Sequence, residues 1–358
     1  MAADGRKEKP VTIKDIAKLA NVSYATVSRA LSGNPAVREN TRRRILDICE
    51  QEGYTANDVA RSMVMKKTNL LGVILPSIDN PFMSELAYHI ECIAREQNYN
   101  IILCNSSGNM KIEEQVFMLL LGRQVDGILL LPSCKGSYDN LKKYLGKVPT
   151  VFVNETLDDA PESYVAVDNY RGTCMATEYL LSLGHRDILY FGRSLTTSTH
   201  TLRAKGYEDT CGKNGITPLF WDNLSDVTSI ETGYEMAKEL LAAKKDYSAI
   251  VAGTDTLALG VIKAADERGL LIPQDISLIG FDNIRYTELP KINLTTIEQP
   301  KAMMAEVAVT MLINKIQSDY RGYTHRILTP TLIRRNTCIP EKGYRQQLKS
   351  AGKRRPNG

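Results

Sequence analysis

The sequence predicts a small all-α head joined to a much larger α/β body built on two parallel sheets. Three observations carry this. In residues 1–54, apolar side chains recur at helical spacing in three short runs separated by turn signals. From 69 to 340, short apolar runs alternate with amphipathic stretches, the pattern of parallel strands with crossover helices. Charge is also divided. Residues 1–67 hold 13 Lys/Arg against 8 Asp/Glu and residues 341–358 hold 6 against 1, so within a chain of net charge +4 the stretch between carries −6. Basic ends on an acidic body point to a head that meets a polyanion.

The head reads in order. Thr12 opens a helix through Ala20, with Asp15 in capping-box position and Ile13, Ile16, Ala17 and Ala20 on one face. Asn21-Val22 interrupts it. Ser23 caps a second helix, Tyr24 to Leu31, with Val27, Ala30 and Leu31 inward. Ser32-Gly33-Asn34-Pro35 is a turn cluster. A third helix runs from about Glu39 to Glu52, with Thr41, Ile45, Leu46 and Ile48 at helical spacing. Two short helices joined by a tight turn and closed by a third form a helix-turn-helix, whose second helix fits a DNA major groove. Its outward positions are Tyr24, Ala25, Thr26, Ser28 and Arg29. Arg29 can pair with guanine and Tyr24 can pack on a thymine methyl. Thr12, Ser23, Thr26 and Ser28 suit phosphate oxygens, which position the helix without reading sequence.

Val11 to Val37, VTIKDIAKLANVSYATVSRALSGNPAV, resembles the headpiece of the lactose-repressor (LacI/GalR) family, and so do Thr41 to Tyr54 and Asn57 to Met63. The resemblance implies that Tyr24, Ala25 and Arg29 read bases, that the protein is a homodimer, and that it binds near-palindromic double-stranded operator DNA. Residues 55–68 then form a hinge. Asn57 to Val64 make about two helical turns, too short to be stable alone in water. In the family, paired hinge helices enter the minor groove and a leucine wedges a base step. Met63 stands at that position, still an apolar wedge, with Asn57 and Arg61 as groove or phosphate contacts.

In the body, strands are expected at Leu71–Leu75, Ile101–Leu103, Gly127–Leu131, Thr150–Val153, Val165–Val167, Ile188–Phe191, Ala249–Ala252, Ser277–Phe281 and Ile327–Leu332. Ligands of such sheets bind beyond the carboxyl ends of the strands. The residues there are rich in amides, hydroxyls and carboxylates, which suit a polyol: Asn80, Asn154, Glu155, Thr197, Thr199, Thr254, Asp255 and Asp282, with Phe82 to cover an apolar ring face. Arg203, opening the helix after the threonine-rich loop, pairs with Asp282 to grip ligand hydroxyls. Asp255 equally suits a helix cap and Phe82 the core, and Asn169 reads as structural.

The body resembles the type I periplasmic sugar-binding fold that the same family uses, through Asp79 to Phe82, Gly253 to Gly260, Asp275 to Asn283 and the crossover segment Thr295 to Pro300. The resemblance places one lobe at 69–166 plus 294–325, the other at 167–293 plus 326–340, and a basic tail at 341–358. It implies a small sugar-like effector acting allosterically, most often on a repressor of a carbohydrate operon. Asn154-Glu155 and Thr254-Asp255 depart from the pentose pattern, and Glu155 from the purine pattern. Glucosides, hexose derivatives and amino sugars stay open, and Glu155 hints at a donor-rich or cationic ligand group. The alternative is a global carbon-catabolite regulator whose corepressor is a phosphorylated carrier protein.

Other classes find little support. The four histidines, His89, His185, His200 and His325, have no metal-ligand spacing, and the seven cysteines are scattered without a C-x-x-C pair. No nucleophile elbow or phosphate loop occurs. No cofactor and no catalysis are expected. Without a signal peptide or an apolar run of about 20 residues, a cytoplasmic protein is expected.

Overall fold

The computed structural model describes residues 11–31, 34–54, 67–157, 161–223, 228–243, 246–318 and 322–342. The hinge calls Asn57, Arg61 and Met63, the Ser32-Gly33 turn and most of the basic tail lie outside them. The chain divides into two compact units at Thr68 and Asn69.

The first unit contains α1 (Ile13–Leu19), α2 (Tyr24–Leu31) and α3 (Glu39–Gln51). Asp15 folds back on the start of α1, accepting from Thr12 N at 3.0 Å and from the Thr12 hydroxyl at 2.6 Å. The same bonds hold its carboxyl below the usual range. Ser23 caps α2 by accepting from Thr26 N at 3.1 Å. Ile16, Ala17, Ala20, Val27, Ala30, Val37, Ile45 and Cys49 form one apolar cluster. Leu46, at helical spacing with its neighbours, is 46% exposed. On α3 the buried spacing is Ile45 to Cys49, one turn apart, and Leu46 falls outside that stripe.

The second unit holds two six-stranded sheets. The first carries β1 (Leu70–Leu75), β2 (Asn100–Asn105), β3 (Gly127–Leu130), β4 (Thr150–Val153), β5 (Ser163–Val167) and β11 (His325–Leu328), in the order β11-β5-β4-β3-β1-β2. All its pairings are parallel. The second carries β6 (Ile188–Arg193), β7 (Leu219–Asp222), β8 (Ala249–Ala252), β9 (Ser277–Asp282), β10 (Thr295–Glu298) and β12 (Thr331–Ile333), in the order β12-β10-β9-β8-β6-β7. Only the β10–β12 pair is antiparallel.

The expected lobe boundaries need correction at the crossovers. Thr295–Glu298, assigned by sequence to the first lobe, pairs with β9 in the second sheet. His325–Leu328, assigned mostly to the second, pairs with β5 in the first. The single strand expected over 327–332 is two strands in two sheets. Pro330 between them has no N–H to donate to either ladder.

Helices cover both faces. Lys301–Gln317 returns from the second sheet to pack Met304, Ala305, Ala308, Val309 and Leu312 on β3, β4 and β5. Its approach is close. A Cβ on Gly127 would stand 2.8 Å from Leu312 Cδ1. Burying these side chains contributes roughly 1.5–3 kcal/mol apiece for the larger ones.

Candidate functional site

In the head, α2 buries Val27 and Ala30 and turns Ser23, Tyr24, Ala25, Ser28 and Arg29 to solvent. Tyr24 is 51% exposed, a large aromatic left uncovered on a unit that already has a closed core. Thr26 is half-buried, and its hydroxyl is 2.8 Å from Ser23 Oγ. Those two hydroxyls therefore hold the helix start as well as facing outward. Arg42 and Arg44 fix the head's turns, donating to Asn34 O at 2.7 Å and Ala20 O at 2.6 Å.

In the body, several of the expected ligand residues bond to one another or across from the first lobe to the second. Asn154 and Glu155 follow β4. Thr197, Thr199 and Arg203 follow β6, in or next to the helix Ser198–Lys213. Thr199 Oγ1 donates to Asn154 O at 2.7 Å, and the Glu155 carboxylate accepts from Ser198 N. Thr156 Oγ1 lies 2.9 Å from Ser198 Oγ, and Lys135 Nζ donates to Thr201 Oγ1 at 2.7 Å. Loops of the first lobe thus clasp one helix end of the second.

Arg203 does not open the helix, contrary to the sequence reading; it lies in the second turn and is 2% exposed. Its Nε donates to Asn169 Oδ1 and its Nη1 to Gly253 O, both at 2.8 Å. Nη2 sits 3.2 Å from Asp282 Oδ1, and the guanidinium covers the Phe281 ring at 3.7 Å. Asp282 also accepts from Gln299 Nε2 at 2.7 Å and has φ +123. Burial pushes its carboxyl up against the pull of Arg203. The pair expected to grip a ligand from two sides grips itself.

Several other expected contacts are helix caps. Asn80 Oδ1 accepts from Phe82 N at 3.0 Å, Thr197 Oγ1 from His200 N at 3.1 Å, and Thr254 Oγ1 from Leu257 N at 3.3 Å. Asn80 Nδ2 reaches across to the Thr228 hydroxyl at 3.3 Å. Asp255 is fully buried and does not cap. Its Oδ1 accepts from Thr296 Oγ1 at 2.6 Å and its Oδ2 from Ile284 N at 3.0 Å. Burial and the nearby Asp282 raise its pKa to about 7. Phe82 is 3% exposed within the apolar cluster, with no ring face presented.

The sequence reading gave no ligand role to Lys135, Thr156, Ser198, Gln299 and His200. Gln299 was visible in the Thr295–Pro300 crossover segment. Lys135 and Thr156 lie in loops, and Ser198 and His200 in the first turn of the helix Ser198–Lys213, where polar composition gives no spacing to follow. Among the described residues, three buried polar atoms in this network have no partner: Asn154 Oδ1, His200 Nδ1 and Gln299 Oε1. Burial and the neighbouring Arg203 depress the His200 pKa to about 3, so its ring is neutral.

Residues 12–57 match the model for bacterial regulatory proteins of the lacI family, and 177–338 match the periplasmic binding protein-like domain. Catabolite control protein A of Priestia megaterium is 37% identical over 327 residues, spanning 88% of this chain and 97% of that one. The chain belongs to the lacI family. Among other lacI-family relatives, the purine repressor PurR of Yersinia enterocolitica is 32% identical over 342 residues, covering 94% and 99%. The solved Lac repressor dimer bound to operator and the anti-inducer ONPF superposes with a TM-score of 0.84 at 25% identity, covering 92% of this chain and all of that one. A lacI-family regulator of Enterococcus faecium with bound ribose gives 0.69 at 28% identity, covering 76% of this chain and all of that one. The protein is accordingly a DNA-binding transcription regulator of the lacI family, with a helix-turn-helix head and a two-sheet periplasmic-binding-protein-like body.

Proposed function

We propose that the protein is a homodimeric repressor of a carbohydrate-utilisation operon, controlled by a small uncommitted sugar-like effector in the cleft between the sheets. The observation that carries the reading is the face of α2, where Tyr24, Ala25, Ser28 and Arg29 stand exposed opposite buried Val27 and Ala30. Two such helices meet half-sites of a near-palindromic operator. The hinge, with Asn57, Arg61 and Met63, folds in the minor groove. The effector shifts lobe geometry and so operator affinity, by a coupling of about 1–3 kcal/mol. The reading assigns no catalysis and no cofactor, in keeping with relatives named as regulators. It places the protein in the cytoplasm with its DNA. No described helix is long and apolar enough to cross a membrane.

Fluorescence-anisotropy titration onto DNA from the protein's own upstream region tests this. Binding should weaken steeply with salt as phosphate contacts release counterions. Arg29→Ala should cost about 1–3 kcal/mol and relax discrimination at one base pair. Uniform loss on all sequences would make Arg29 a phosphate contact. Binding without salt dependence or sequence preference would refute the regulator reading.

A second reading is favoured by one comparison, the 37% identity to a catabolite control protein. On it, a phosphorylated carrier protein is the corepressor. Capture of such a carrier by the full chain, dependent on its phosphate, would support this reading, and no capture would remove it.

A further inference from the structure

The cleft contains a feature that bears on the charge of its ligand. The helix Ser198–Lys213 is 16 residues long and points its N-terminus at the first lobe's β4 loop. Such an end carries partial positive charge and unpaired N–H groups, and attracts anions. Here the Glu155 carboxylate already fills it, from the opposite lobe. Ser198 N donates to Oε1, and Thr199 Oγ1 stands 3.5 Å from Oε2. Glu155 is 4% exposed. The other buried cation of the network, Arg203, is matched by Asp282 at 3.2 Å.

What remains unpaired points the same way. Gln299 is 1% exposed and gives its Nε2 to Asp282, which fixes its carbonyl oxygen as the end without a partner. The Asn154 amide oxygen is also unpaired, and the third open atom belongs to a neutral imidazole, His200. Amide oxygens accept hydrogen bonds and repel anions. Lys135 is the one further cation at the clasp, and its ammonium is engaged by Thr201.

Resting on the effector-cleft reading, we propose that Glu155 is a specificity-determining residue: by closing the Ser198–Lys213 helix end from across the cleft, it reserves the site for an uncharged, hydroxyl-rich molecule and refuses phosphorylated or carboxylate ligands. Glu155 then does not meet a cationic ligand group, as its sequence position suggested. It acts by occupying the anion's place.

Chemical rescue tests this in the full chain without knowing the natural effector. Thermal unfolding is followed in chloride and in inorganic phosphate at matched ionic strength, with wild type reporting the general effect of phosphate as a solute. Glu155→Ala should lower the midpoint by roughly 2–4 °C, as for loss of one helix cap in a body of this size. Inorganic phosphate should then restore it saturably, beyond any change in wild type. Should Glu155→Ala not fold, Glu155→Gln holds the helix end with a neutral amide, and phosphate should still raise its midpoint more than that of wild type. Equal saturable shifts in wild type and variant, or none in either, would overturn the proposal. Operator titration of the same preparations reads the underlying function separately. A wild type that takes phosphate yet binds operator loses only this inference, whereas one that binds no DNA loses the regulator reading.

Discussion

Arg203→Met should destabilise the body by about 3–5 kcal/mol, the cost of leaving one member of a buried ion pair without the other. The side chain is 2% exposed, and three of its nitrogens have partners: Asn169 Oδ1, Gly253 O and Asp282 Oδ1. Methionine keeps much of the apolar contact with Phe281 and supplies no donor. Asp282 is then left as a buried carboxylate held by Gln299 and the nearby Lys301 ammonium alone. Adding Asp282→Asn should recover a large part of the loss, because the uncompensated charge is what costs most. Denaturant unfolding of the two single variants and the double gives the coupling directly. A loss under ~1 kcal/mol for Arg203→Met, the range of exposed pairs, would mean that the guanidinium stands free for ligand, as the sequence alone suggested.

That contrast shows where sequence reading stopped. The head was legible almost to the residue, because three short helices must each bury one face. Spacing and caps agreed, and of the apolar residues at helical spacing on α3 Leu46 alone faces solvent. In the body, apolar runs marked most buried strands. The run Leu219–Asp222 was missed because it is an edge strand, only half-buried. The helix Ser198–Lys213 was expected to open only at Arg203, and its first turn was read as loop, because its buried face is polar or small, with Thr199, Arg203, Gly206 and Thr210. Gly206 is needed there. A Cβ would stand 2.3 Å from Tyr170 O of the neighbouring helix.

The strand-end rule picked out loops rich in polar groups, and it could not separate candidate ligand contacts from caps. Asn80, Thr197 and Thr254 follow strands, where the sequence reading looked for a ligand, and they also stand where a helix begins; both positions call for the same hydroxyls and amides. Partner choice across the cleft, such as Glu155 with Ser198, depends on where two lobes meet and leaves no local pattern in the chain.

Asp255 should make the body less stable as pH rises through neutrality, and Asp255→Asn should remove that trend. In the fold its carboxyl titrates near 7, raised from an ordinary value of 3.8 by burial and by Asp282. Between those values the folded state holds a proton that the unfolded chain has released. The stabilisation is therefore complete below about 4, is lost as pH climbs to about 7, and stays lost above it. A gap of three pKa units corresponds to about 4 kcal/mol at most. Asparagine is nearly isosteric. Its carbonyl can accept from Ile284 N, and its amide can donate to the Thr296 hydroxyl, which reverses its role. No larger neighbour is tolerated: a Cβ on Gly280 would meet Asp255 Oδ1 at 2.1 Å. Unfolding free energies at pH 5 and pH 8 decide the matter, since groups other than Asp282, which interacts with Asp255, cancel in the difference between wild type and variant. Equal slopes would mean that Asp255 is ionised throughout and that its two bonds outweigh its burial. A flattened slope would place a protonated carboxyl at the joint between the end of β9 and β10, next to the crossover that carries the chain back to the first lobe.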